Sequence, residues 1–290
     1  MNRASNRRPI EWTILALDAA ILLAVPVALA AIQFGGSPAL HRLLTFDSDQ
    51  PTLLGWVGHW AVHYSSPLLL ANLLGYALVA GVGYPLAWAM GERWWFRLSL
   101  GAVLLAVPPL SAAASDLAFA RIAPGLTYTA RGASAVVAGL LGVLAVLFLG
   151  RLEQRYDTRA AVVGGGALFV GVLTGLLVHL GSPARAEVVT FLGAVGLIVG
   201  FDLALRLREG DAGTSEPSLR QRIGWQRLGW TLLVGVVVFV VTLAMAVALF
   251  PADPFAGPRI TNVFGHAMGL ATGAVIACWG RRYWSSRSWW

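Results

Sequence analysis

Eight times along the chain an apolar run close to 20 residues long follows a polar break, near 11–33, 60–82, 97–117, 133–150, 160–180, 186–207, 227–250 and 262–280. Roughly 20 apolar residues in helical form match the hydrocarbon thickness of a bilayer. A backbone inside lipid must also satisfy its own hydrogen bonds, which a helix does internally. The pattern therefore predicts an all-α polytopic membrane protein with about eight transmembrane helices. Composition agrees: 57% of the 290 residues are hydrophobic and only 12% are charged. A soluble domain carries about 25% charged residues, and half that share leaves too little polar surface to coat a globule in water. A soluble enzyme, a nucleic-acid binder and a disordered regulator are excluded together.

The net charge of +7 has a topological meaning here. All 21 basic residues are arginines, and they sit in short clusters between apolar runs. With the N-terminus inside, 16 arginines fall on inner segments and five (Arg42, Arg121, Arg131, Arg185 and Arg259) on outer ones. That asymmetry follows the positive-inside rule. The expectation is a single transmembrane domain over 1–290 in the cell membrane, with both termini cytoplasmic. The polar, turn-rich stretch near 208–226 is expected as a cytoplasmic loop. The lipid bilayer is the expected partner, and nucleic acid is not. The first run is longer than the 7–15 apolar residues of a cleavable signal and reads as a retained helix. Arg281-Arg282-Tyr283-Trp284 reads as an interfacial anchor. The single cysteine, Cys278, allows no intrachain disulfide and no thiolate metal site, and reads as a small buried hydrophobe.

Polar side chains inside such a chain are costly and mark candidate sites. All five histidines (His41, His59, His63, His179 and His266) fall at or near the outer side in this topology. His59 and His63, four residues apart, would share a face if helical. No Glu lies between them and no H-E-x-x-H occurs, so no metal and no cofactor is expected. Asn72 is an amide in an apolar stretch, suited to an interhelical hydrogen bond or to donating to a reacting oxygen. Ser134 stands among small residues after Gly132, a setting that taken alone is ordinary close packing. Gly269 and Gly273 form a small-xxx-small face that admits a neighbouring helix, with Ala138, Gly139 and Gly142 as the matching surface. His266 lies three residues before that face. Asp18 and Asp202 are the only acidic residues well inside apolar runs. A transporter would need such charges paired at mid-membrane; Asp202 reads as solvated near the cytoplasmic end, and Asp18 has no evident role.

At these residues the chain resembles the rhomboid family of intramembrane serine proteases. Three motifs occur in the family's order: His59/His63…Asn72, Gly132-Ala133-Ser134, and His266-Ala267-Met268-Gly269-Leu270-Ala271-Thr272-Gly273. The resemblance implies a rhomboid-like helical bundle and a Ser–His dyad, with Ser134 as nucleophile and His266 as general base. It implies an oxyanion site built from Asn72 with His63 assisting, and Gly132, Gly269 and Gly273 packing nearby. It implies transmembrane proteins as substrates, cut near the outer face and entering past the helix at 227–250. The chain departs from the family pattern at Leu68, where a histidine is common, and at Ala135, where glycine is usual. These departures keep a second reading in view, a rhomboid-like pseudoenzyme that binds transmembrane segments without cutting them. Eight crossings, two more than the family's minimal core, keep Ser134 and His266 on the same side.

Overall fold

A computed structural model describes residues 12–181, 225–253 and 261–285. Seven of its helices are long and apolar enough to cross a membrane, which makes the chain an all-α, multi-pass protein. In order, the helices are α1 (Trp12–Gly35), α2 (Pro38–Leu44), α3 (Leu53–Gly58), α4 (Ser66–Ala89), α5 (Arg93–Ile122), α6 (Ser134–Arg155), α7 (Thr158–His179), α8 (Trp225–Leu249) and α9 (Val263–Ser285). The expected sixth span at 186–207, Asp202 within it, and the loop near 208–226 up to residue 224 lie outside the described residues.

Helix α6 is the axis of the bundle. Its apolar window is 83% buried, against 17% for α1 and 6% for α7, so those two occupy the periphery. Among the described helices the closest partner of α6 is α9, and glycine makes that approach possible. A β-carbon on Gly269 would overlap the Ala135 carbonyl, one on Gly273 the Gly139 carbonyl, and one on Gly142 the Leu270 carbonyl. Contacts at 135/269 and 139/273 advance together, so the two helices run parallel. By the same reasoning α7 is antiparallel to α6, with Gly164 against Leu152 and Gly165 against Leu149. Helices α7 and α8 are parallel, with Gly171 against Phe239 and Gly175 against Leu243. Gly181 and Trp225 therefore lie at opposite ends of the bundle.

Three sequence expectations change. The second span begins at Ser66 rather than near residue 60, because Ser65 caps it by accepting the Leu68 N–H at 3.4 Å and Pro67 occupies its first turn. A proline there has no N–H to give and its ring would clash with a helical carbonyl four residues before it. His59 accordingly lies in a single 3₁₀ turn (His59–Ala61), Val62 is extended, and His59 and His63 share no helical face. Cys278 is exposed rather than buried, on the side of α9 that also exposes Val275 and Trp279. Arg281 turns into the end of the bundle instead of outward: it pairs with Glu92 at 3.3 Å and Glu153 at 3.8 Å, in space that Gly150 leaves open.

Asp18 does find partners. It is fully buried on α1, where it is ion-paired to Arg97 and hydrogen-bonded by the Tyr84 hydroxyl, with Arg93 at 3.9 Å. The i, i+4 arginines at the start of α5 thus fasten the first helix to the bundle, at the end opposite Ser134.

Candidate active site

The approach to Ser134 is held by short-range backbone pairing. Strand β1 (Phe46–Asp47) pairs antiparallel with β2 (Thr129–Ala130), with Phe46 opposite Ala130 and Asp47 opposite Thr129. The Ser48 N–H donates to the Tyr128 carbonyl at 3.0 Å and the Tyr128 N–H donates to Ser48 Oγ at 2.8 Å. The Tyr64 hydroxyl donates to the Thr129 carbonyl at 2.6 Å. The Gly132 N–H donates to the His59 carbonyl at 3.0 Å. Phe46, Trp56, Tyr128, Phe119 and Phe264 stack edge-on or tilted beneath this loop layer, with centroids 4.9–5.8 Å apart. The layer fixes the chain as it turns into α6.

Gly132 makes that turn with φ +121°, a conformation that a residue with a β-carbon rarely adopts. Ser134 is then the first residue of α6. The preceding Ala133 offers no capping side chain, and the first N–H groups of a helix have no partner within it. The helix thus opens beside the serine hydroxyl with N–H donors that have no partner among the described residues.

His266 reaches the same point from α9. Asn262 caps that helix: its Oδ1 accepts from the Gly265 N–H at 2.9 Å and from the Ser115 hydroxyl of α5 at 2.7 Å. The His266 ring is buried, and its Nε2 lies 2.8 Å from Ser134 Oγ. Its Nδ1 lies 2.6 Å from the Leu249 carbonyl. A carbonyl oxygen can only accept, so Nδ1 carries the proton. In the neutral ring Nε2 is then the acceptor, and the serine hydroxyl donates to it. The structure brings Ser134 and His266 together as nucleophile and base require.

Asn72 and His63 meet at the same turn. A β-carbon on Gly132 would sit 3.4 Å from Asn72 Nδ2 and 3.8 Å from both His63 Cδ2 and Leu68 Cδ2. Asn72 Nδ2 is buried with no hydrogen-bond partner among the described residues, a donor held ready beside the serine turn. His63 is engaged differently. Its Nε2 accepts the Ala133 N–H at 3.4 Å, and its backbone N–H donates to Gln33 Oε1 of α1 at 3.1 Å. Burial pulls its pKa down to about 4, and burial also lowers that of His59. Both rings are neutral at pH 7, the state in which His63 Nε2 can accept.

Leu249, Asn262, Ser115 and Gln33 carry parts of this site that sequence reading did not single out. Asn262 left a signal, an N-cap residue four positions before His266. A backbone carbonyl and a cross-helix serine leave none. The remaining predicted histidines serve the loop layer or lie apart from the site: His41 donates to the Ile32 carbonyl at 2.8 Å, and His179 closes α7. Compared with protein-family models, with curated proteins and with solved structures, the chain matches none.

Proposed function

We propose that the protein is an intramembrane serine endopeptidase that cuts transmembrane segments of other proteins with a Ser134–His266 dyad. The observation that carries the reading is the 2.8 Å contact between Ser134 Oγ and His266 Nε2 on two tightly packed parallel helices. The resemblance to rhomboid proteases at the same residues supports it. Ser134 Oγ attacks the scissile carbonyl while His266 Nε2 takes the hydroxyl proton. The tetrahedral intermediate collapses, the C–N bond breaks, and His266 returns the proton to the leaving amine. Water, activated by the same histidine, then hydrolyses the acyl-enzyme. The developing oxyanion is held by the Ser134 N–H at the bare helix start and by Asn72 Nδ2. Substrate enters beside α8, and the site faces outward with both termini cytoplasmic.

The test is cleavage of a single-pass model substrate in vesicles containing the purified full chain. Wild type is expected to release both fragments, Ser134→Ala and His266→Ala neither. The double variant should be no worse than either single one, because dyad members act as a unit. Equal cleavage by wild type and Ser134→Ala refutes the reading. The pseudoenzyme reading is favoured by two departures from the family pattern: Ala135 after the serine, and Leu68, whose apolar Cδ2 stands by Gly132 where the family commonly has a histidine. Binding of the model substrate by a wild-type chain that never cuts it is the outcome that reading requires.

A further inference from the structure

The dyad has no acidic side chain bonded to its base: among the described residues, the His266 ring is hydrogen-bonded to Ser134 and to the Leu249 carbonyl. We infer that the carboxyl end of α8 is the third member of the catalytic group, with the Leu249 carbonyl as the positioning group for His266. This inference rests on the protease reading.

Three features of the helix end suit it to that role. Helix α8 stops at Leu249, and Pro251 follows with no N–H to carry the ladder further. Carbonyls in a last turn lack intrahelical partners, so the Leu249 oxygen is free to take the Nδ1 proton at 2.6 Å. The same end carries the negative pole of the helix, which favours a cation placed against it. Both Leu249 and His266 are buried, so water does little to screen the interaction. Phe250 adds a steric stop. Its N–H still donates to the Ala246 carbonyl at 2.9 Å, and its ring meets the His266 ring edge-on at 6.1 Å and 85°. The histidine is thus held against ring flipping. Its accepting nitrogen faces Ser134, and a neutralising pole lies behind it when the proton arrives. A carboxylate does both jobs in a Ser-His-Asp triad.

The test replaces Phe250 by its α-hydroxy analogue in the full chain, which turns the Leu249 carbonyl into a weaker-accepting ester carbonyl. The same exchange at exposed Ala248 is the control, since it also removes one helix hydrogen bond but leaves Leu249 alone. Two signals are read: substrate cleavage, and the ¹⁵N spectrum of histidine-labelled protein with His266 assigned by difference against His266→Gln. At position 250 the expected result is a kcat about tenfold lower with KM kept, and a His266 spectrum shifted from pure Nδ1–H toward a tautomer mixture. At position 248 both signals should stay as in wild type. An unchanged spectrum and kcat at 250, or equal losses at 248, overturn the inference while cleavage by wild type leaves the protease reading standing. A wild-type chain that cleaves nothing overturns the protease reading, and the catalytic role of Leu249 falls with it. Its spectrum still decides whether the Leu249 contact fixes the tautomer.

Discussion

Gly273 faces Gly139 so closely that a β-carbon on it would overlap the Gly139 carbonyl oxygen. The obstacle is backbone, which cannot rotate aside, so Gly273→Leu must push α9 away from α6. Overpacking a core costs about 1–3 kcal/mol, and here the cost should reach the top of that range. Thermal unfolding in detergent should show a midpoint lower by several degrees, with cleavage lost. An unchanged midpoint would mean that the two helices do not pack this closely.

Asn72 separates stability from chemistry. Its Nδ2 is buried and unpartnered among the described residues, and replacing such a group by an apolar one of similar size is close to neutral or stabilising. Asn72→Leu should therefore unfold at or above the wild-type temperature. Loss of one oxyanion donor lowers rates by about 10²–10³, and cleavage should fall by that factor. A variant as fast as wild type would remove Asn72 from the oxyanion site, whatever the fate of the dyad.

The loop layer around the serine turn should weaken in acid. His63 has a pKa of about 4 in the folded chain against 6.5 for a free imidazole, and that of His59 is also lowered. Between those two values the unfolded chain binds protons that the folded chain excludes, so stability rises with pH across the window. It should be level above pH 7 and decline from about 6.5 toward 4. His63→Gln should flatten part of that decline, measured by unfolding midpoints across the pH range.

Asp18 and Arg97 make a pair whose members differ in exposure, the carboxylate fully buried and the guanidinium side chain 16% exposed. Removing one partner of such a pair costs about 3–5 kcal/mol because a buried charge is left alone. Asp18→Ala should lower the unfolding midpoint markedly, and Asp18→Asn combined with Arg97→Gln should recover much of the loss. Equal loss in both variants would show that the charge pairing is incidental.

Much of this fold was written in apolar run length. Seven of the eight expected spans correspond to long apolar helices, and the small-residue faces at Gly139, Gly142, Gly269 and Gly273 meet. Hydropathy failed where local chemistry overrode it. Apolar character runs from Leu53 to Met90 with two histidines inside it, yet Ser65 and Pro67 split the stretch into a loop layer and a span. Run length carries no information on which way a side chain faces, and Cys278, expected as buried, faces outward. The role of Asp18 is not legible in its own run, because its partners arrive from α4 and α5, some 66 positions or more along the chain. Within the site, Ser134, His266 and Asn72 were legible as residue types in order. The Leu249 carbonyl was not, since a backbone atom has no signature in sequence.

In the proposed protease, His266 activates Ser134 as the nucleophile. Labelling of the purified 290-residue chain with a serine-reactive fluorophosphonate tests it most directly. The expected result is a single covalent adduct on Ser134 in wild type, none in Ser134→Ala, and strongly reduced labelling in His266→Ala. Labelling that persists undiminished in Ser134→Ala, or a wild-type chain that takes up no label while binding a model substrate, would contradict it.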